Sequence, residues 1–209
     1  MEDPGFDRLM RFVLELRQSG VTDARVLAAM ERTPRTHFAP AQFAAFALED
    51  RALPLADGQQ MTKPSTVGRV LCALDLKGGE TVLEVGTGSG YQAAVIGAVA
   101  RRVISLERRQ ALAAAARGRV GQLRAMHVYV HWADGAEGWR DEPAFDRIVI
   151  NAAVAAPPPA LAAQLSAGGV MAAGVDGRLV RWRKGADGAL AASDAGPLDL
   201  AALEAGAAP

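Results

Sequence analysis

Cysteine occurs once in the 209 residues, at Cys72, which leaves no partner for an internal disulfide and fits a reducing compartment, with the cytoplasm as the default. Histidine is almost as scarce. His37, His127 and His131 are scattered without the spacing of metal ligands, so no metal site is expected. Charge of one sign is also missing: 23 Lys and Arg cancel 23 Asp and Glu, so no overall field draws nucleic acid or an anionic membrane. Aromatic residues make up 5% and form no stacking platform beside the basic ones. No uninterrupted apolar run reaches the roughly 18 residues that a bilayer crossing needs. The start, "MEDPGFDR", is acidic and proline-broken where a signal peptide has basic and then apolar residues. The expectation is a monomeric protein of the cell interior without nucleic-acid or membrane partners.

What is present is enough for a core, because half of the residues are apolar and a chain of this length buries roughly 70% of its unfolded surface. Residues 1–79 read as mostly helical. Phe6, Leu9, Met10 and Val13 recur at helical spacing, Thr22 is a candidate cap for a helix carrying Val26, Leu27 and Met30, and "PAQFAAFALED" suggests a third short helix. Residues 50–64, "DRALPLADGQQMTKP", are polar and proline-punctuated, which predicts a loop. Ser65 or Thr66 is placed to cap the following helix, "TVGRVLCALDL", whose apolar face holds Cys72 and which Lys77-Gly78-Gly79 closes.

From Thr81 the pattern alternates: strand 81–85, helix 91–100, strand 102–106, helix 109–124, strands 127–132 and 145–151, helix 159–166 and strand 168–175. Such alternation implies right-handed crossovers and a mainly parallel sheet. Pro157-Pro158-Pro159 gives a stiff entry to the last helix. Asp176-Gly177 then joins two apolar segments with a hairpin signal, and "GADG" at 185–188 makes another turn, so the sheet ends in antiparallel strands. The expected fold is a Rossmann-like doubly wound α/β sheet, with an N-terminal helical segment and loop (1–79) packed on the core (80–209) as one compact domain.

Between the first of these strands and its helix lies "EVGTGSGYQ", where glycine lets backbone approach a ligand and the helix start offers free N–H groups. The dinucleotide fingerprint G-x-G-x-x-G is not met. Gly86, Gly88 and Gly90 spell G-x-G-x-G, with Tyr91 in the place of the last glycine, which disfavours a nicotinamide cofactor. Glu107, about 20 residues on at the end of the next strand, is placed to accept from ribose hydroxyls. Asp134-Gly135 leaves the third strand, where a carboxylate can accept from an adenine amino group.

With those residues in hand the chain resembles the protein-L-isoaspartate O-methyltransferases, over roughly residues 8–182. The likeness rests on "VLAAMERTPRTHFAP", "LPLADGQQMTKPSTVGRVL", "VLEVGTGSGYQAAV", "SLER", "ADGAEGW" and "AFDRIVINAA". It implies S-adenosylmethionine as cofactor, with Glu84, Gly86, Thr87, Gly88, Gly90 and Tyr91 around it, Glu107 at its ribose, and Asp134 and Gly135 at its adenine. It also implies methyl transfer to the free carboxylate of isoaspartyl residues in damaged proteins. A carboxylate with a pKa of about 4 is already ionised at neutral pH and requires no general base, and no His/Asp or Cys/His constellation is present to act as one. Positioning and exclusion of water carry such chemistry, with residues 57–64 as the lid.

The family's loop reads approximately G-Q-T-I-S-x-P, with the serine hydroxyl beside the substrate; here Gly58 to Pro64 read G-Q-Q-M-T-K-P. The resemblance thus puts Gln59, Met61, Thr62 and Lys63 at the substrate, with Thr62 in the catalytic position, although an exposed loop lysine is more commonly just solvated. The family's Arg-Phe/Tyr-Val-Pro-Leu-like C-terminal stretch is represented only by Asp194-Ala195-Gly196-Pro197-Leu198. Two alternatives stay open on these departures: a carboxyl methyltransferase for another aspartate or a small acid, and a cofactor-binding protein without catalysis. Asn151 is followed by Ala152-Ala153-Val154 rather than the Pro-Pro-Tyr/Phe of base methyltransferases. The arginines between Arg101 and Arg124 read as a solvated helix face.

Overall fold

A computed structural model describes residues 4–142, 144–198 and 200–208, with side chains from Asp7 onward. Met1–Asp3 and the Phe6 side chain lie outside this set. Helix α1 (Pro4–Gln18) buries Phe12 and Leu16, and α2 (Ala24–Arg32) buries Val26, Leu27 and Met30. The cap of α2 is Asp23 rather than Thr22, because only the residue just before the first turn can reach its N–H groups; the Asp23 carboxylate accepts from Arg25 N and Val26 N. A 3-10 turn (Ala41–Phe46) stands where the sequence suggests a third helix, and a short α3 (Arg35–Phe38) precedes it. The segment expected as a loop carries a small antiparallel ribbon, β1 (Leu53–Pro54) paired with β2 (Gln60–Met61).

Helix α4 (Pro64–Leu74) takes proline as its first residue, so neither Ser65 nor Thr66 caps it. Asp50 substitutes from outside the helix: one carboxylate oxygen accepts from Ser65 N at 2.8 Å and the other from Ser65 Oγ at 2.7 Å. Cys72 sits half-buried on the apolar side of α4.

The remaining elements are β3 (Thr81–Val85), α5 (Tyr91–Gly97), β4 (Arg102–Glu107), α6 (Gln110–Gln122), β5 (Val128–Trp132), β6 (Phe145–Ala153), α7 (Pro159–Gln164), β7 (Leu165–Val175), β8 (Arg178–Lys184) and β9 (Leu190–Pro197). Among the described residues they form a seven-stranded sheet in the order β5-β4-β3-β6-β7-β8-β9. Its first five strands are parallel and the last two antiparallel, as expected. Asp176 and Gly177 both take left-handed φ angles, 47° and 73°, which is what a two-residue hairpin turn with the strands' own twist requires.

Strand β3 is buried along its whole length. One core packs Val82 and Val103 under α1, α2, α4, α5 and α6, and another packs Leu83, Ile104 and Ile148 against α7 and β8. The first runs from Phe12 to Leu198, so the N-terminal helices share the interior of the sheet. The connections from β3 go to β4 on one side and, later, to β6 on the other. That reversal opens a crevice at the carboxyl end of β3, where ligands of such sheets bind.

Candidate active site

The turn after β3 enters this crevice. Gly88 (φ 54°) lines it, and its N–H donates 2.9 Å to Glu107 Oε2, while Glu107 Oε1 accepts from Arg109 N at 3.0 Å. The acid at the end of β4 is thus fixed by two backbone donors and keeps its other lone pairs for a ligand. It borders two cavities, an inner one of about 90 Å³ beside Thr87 and Tyr91 and a second of about 130 Å³ beside Gly135. A third, outer cavity of about 500 Å³ is lined by Gln60, Lys63 and Thr66. Gln59 and Asn151 line all three, so they mark the junction.

Beneath the turn lies a closed polar network. The Ser105 hydroxyl bonds the Glu84 carboxyl and the Thr87 hydroxyl; Asn151 Nδ2 donates to Glu84 Oε1 at 3.1 Å and to Gly86 O at 2.9 Å; Gln92 Nε2 donates to Asn151 Oδ1 at 2.7 Å. Glu84 is fully buried, and desolvation pushes its carboxyl up from 4.5 to about 8, against the opposing bonds from Ser105 and Asn151 and with the Glu107 charge adding to the rise. The folded state therefore keeps a proton that the unfolded chain releases. The stability this contributes is whole below about pH 4.5 and is lost as pH rises through 8. A Glu84→Gln variant, which keeps a donor and an acceptor without the charge, is expected to flatten the decline in stability between pH 5 and pH 8. Urea melts of both proteins at those two pH values check it; parallel declines would mean that Glu84 is ionised in the fold.

The ribbon that faces the turn is anchored at several points. Arg35, 1% exposed, donates from Nη1 to Ala47 O and from Nη2 to Thr62 O at 3.1 Å and Arg51 O at 3.3 Å. Its guanidinium stands 5.8 Å from the Tyr91 ring centroid, and burial lowers its pKa to about 10, which leaves it cationic at neutral pH. Leu55 N bonds Gln59 O at 2.8 Å, and Asp57 and Gly58 make the turn with φ of 55° and 68°. The expected lid, residues 57–64, is therefore a pinned ribbon whose inner edge presents Gln59, Met61 and Thr62 to the inner cavity.

Comparison with known proteins agrees with this geometry. The sequence profile of the family described as Protein-L-isoaspartate(D-aspartate) O-methyltransferase (PCMT) matches residues 8–198. The chain belongs to that family. Family members from Maricaulis maris and Cereibacter sphaeroides (strain ATCC 17029), both named protein-L-isoaspartate O-methyltransferase, are 42% and 47% identical to it. The alignments cover 86% and 81% of this chain and 86% and 77% of theirs. A solved protein-L-isoaspartate O-methyltransferase superposes with a TM-score of 0.83 at 22% identity, over 95% of this chain and 67% of its own. A Plasmodium falciparum protein described as a beta-aspartate methyltransferase, solved in complex with S-adenosyl-L-homocysteine, superposes at 0.78 with 17% identity, over 93% and 97% of the two chains. At these identities the two superpositions show the shared fold.

Against the family's pattern, the structure brings Gly86, Thr87, Gly88, Tyr91 and Glu107 to the inner cavity, Gly135 to the second, and Lys63 to the outer one. Three residues expected at the cofactor line none of these cavities. Glu84 lies under the turn in the network described above. Gly90 is a packing position: a Cβ there would stand 3.2 Å from Ala116 Cβ and 3.4 Å from its backbone, and its φ of 89° is left-handed, so glycine lets α5 approach α6. Asp134 accepts from Ala136 N at 2.9 Å and from Gly206 N, which turns its carboxylate to backbone partners.

Gln60, Gln92 and Asn151 border the cavities without having been singled out as ligand contacts. The exit of β6, on the far side of the crevice from β4, was the available signal for Asn151. Of the arginines expected to be a solvated face, Arg101, Arg117 and Arg124 are exposed, but several also bond the fold: Arg117 Nε donates to Val130 O, Arg119 Nη1 to Ser89 O, and Arg102 pairs with Glu142. Two of the histidines bond the fold: His37 Nε2 bonds Arg119 O and His127 Nε2 bonds Gly97 O, and no metal-binding cluster occurs among the described residues.

Proposed function

We propose that this protein transfers a methyl group from S-adenosylmethionine to the free carboxylate of isoaspartyl residues in damaged proteins. Membership of the family supports the reaction, and one observation carries it to this chain. Thr62 and Gln59 line both the inner cavity beside Glu107 and the outer one that opens beside Lys63. A cofactor held on the glycine turn and an acceptor entering past the ribbon would meet at those two side chains. The residues present fit the cofactor: Gly88 and Glu107 form a backbone-pinned acidic edge for a nucleoside, and the buried network keeps the floor satisfied. S-adenosylmethionine supplies an electrophilic methyl on a sulfonium centre.

The chain's own part is positioning. An isoaspartyl carboxylate is ionised at neutral pH, so no proton has to be removed, and among the described residues neither histidine nor cysteine lines the three cavities. Thr62 Oγ1 would orient the carboxylate, the pinned ribbon would exclude water, and Lys63 at the outer mouth would favour an anionic acceptor. We further read the chain as one folding unit acting as a cytoplasmic monomer on protein substrates, independent of nucleic acid and membranes. Among the described residues no helix is long and apolar enough to cross a membrane.

Labelled methyl transfer to an isoaspartyl peptide and to its aspartyl isomer tests the activity. Cofactor binding without methylation of the isoaspartyl peptide would overturn it. Thr62→Ser is expected to retain turnover within about threefold, and Thr62→Ala to lose about tenfold or more, the scale of one positioning hydrogen bond. Equal rates for all three would remove Thr62 from the reaction.

A further inference from the structure

Residues 200–208 form no strand of the sheet, yet they are fastened across its carboxyl edge, with single β-bridges from Ala202 to Ala153 and from Ala208 to Arg109. Ala153 N donates to Ala201 O at 2.7 Å and Leu203 N to Ala153 O at 2.8 Å, which ties the segment to the end of β6. Farther along, Ala208 N bonds Arg108 O at 2.6 Å, Gln110 N bonds Ala208 O at 3.1 Å, and Trp132 Nε1 reaches Ala208 O at 3.0 Å. Those contacts lie at the ends of β4 and β5. Because β3 stands between β4 and β6, a segment fixed on both must pass over the carboxyl end of β3, where the glycine turn begins. Asp134 accepts from Gly206 N on the way.

The middle of the segment is held by charge. Arg108 pairs with Glu204 through Nη1 and donates to Gly206 O at 2.7 Å and to Ala205 O at 3.0 Å, and Arg109 Nη2 stands 3.3 Å from Glu204. Both arginines follow directly on Glu107, so the acid that faces the ligand and the two cations that hold the strap share one turn of chain. The strap does not fill the crevice. Ala201, Ala202, Leu203 and Glu204 form one wall of the cavity of about 130 Å³ whose other side is Glu107 and Gly135.

We infer that residues 200–208 are a strap that forms the outer wall of the nucleoside end of the cofactor site, latched by Glu204 on Arg108 and Arg109. The inference rests on the proposed cofactor reading. The strap explains two features of this chain together: a carboxylate at Asp134 occupied by backbone donors, and arginines that bond a distant segment instead of solvent. A nucleoside bound between Glu107 and Gly135 contacts Ala202 and Leu203 only while the latch is closed. Opening the latch therefore costs affinity in proportion to the closed fraction lost.

The test uses the full chain. In wild-type protein, S-adenosylhomocysteine binding is measured by calorimetry, and amide exchange of Leu203 and Ala208 is followed with and without saturating ligand. Glu204→Arg is then measured the same way, with a thermal melt without ligand as the control for folding. The expected results are a dissociation constant raised about tenfold, as for a tenfold loss of the closed form, and slower exchange at both amides when wild type is saturated. Equal or tighter binding by a folded Glu204→Arg protein would overturn the strap, as would exchange in wild type that ignores the ligand. Should Glu204→Arg fail to fold, the exchange measurement in wild type decides alone. Wild-type protein that binds no S-adenosylhomocysteine would remove the cofactor reading itself, a result distinct from either of these.

Discussion

Arg35→Lys is expected to lower turnover on an isoaspartyl peptide about 100-fold while leaving S-adenosylhomocysteine affinity within about twofold, the pattern of a misplaced rather than a missing group. Arg35 touches no cavity of the site, so its effect runs through the ribbon. Its guanidinium serves three carbonyls, Ala47 O, Arg51 O and Thr62 O, which lie at the two ends of the 50–64 segment and on the chain leading into it. A planar fork does this with its geometry fixed; a lysine ammonium is a point donor on a shorter reach and leaves at least one buried carbonyl unpaired. The Thr62 carbonyl is then released, and its hydroxyl moves with it. Glu107 and Gly88 bond each other independently of Arg35, which is why cofactor affinity is spared. Steady-state kinetics and calorimetry separate the two effects, and a partial return of turnover in Arg35→Ala on adding guanidinium would tie the loss to the missing fork. Unchanged turnover in a folded Arg35→Lys protein would show that the ribbon holds its shape without the clamp.

Much of this arrangement was legible in the sequence because it is written in local patterns. The alternation of strands and helices from Thr81, the Asp176-Gly177 hairpin and the G-x-G-x-G turn each depend on neighbours within a few residues. Glu107 was legible for a related reason: the end of the strand after a glycine turn returns to the same crevice in any doubly wound sheet. What was not legible depends on partners far away in the chain. Nothing near Arg35 says that it reaches Thr62, and Asp50 stands 15 residues from the Ser65 that it holds.

Asp134 shows the same limit from the other side. Its position at a strand exit is correct, and its carboxylate was nonetheless claimed by Gly206, 72 residues later. Gly90 shares its spacing with the glycines that line the cavity, and only the close approach of Ala116 shows the packing that the position serves. The arginines between Arg101 and Arg124 are in part the exposed face that their number suggests, but the carbonyls and carboxylates that bond several of them come only with the tertiary structure. Composition reports how many charges a segment carries; it does not report which of them are bonded.

Glu107→Gln is expected to weaken S-adenosylhomocysteine binding about 100-fold, about 2.7 kcal/mol, which is the scale of one charge-assisted hydrogen bond. The reason lies in the two donors that face this side chain. Gly88 N–H and Arg109 N–H each point at a different carboxylate oxygen, at 2.9 and 3.0 Å. A carboxylate accepts on both sides, but a glutamine amide accepts on only one and presents its own N–H₂ to the other backbone donor. One edge of the turn is therefore pushed away from the ligand whichever way the amide is turned. The negative charge available to ribose hydroxyls is lost at the same time. The melting temperature without ligand is expected to fall as well, because one of the two backbone N–H groups that hold the turn to Glu107 loses its acceptor. Calorimetry with S-adenosylhomocysteine beside a thermal melt checks both parts. A Glu107→Gln protein that melts lower yet binds with wild-type affinity would limit Glu107 to holding the glycine turn and would move nucleoside recognition to other residues of the crevice.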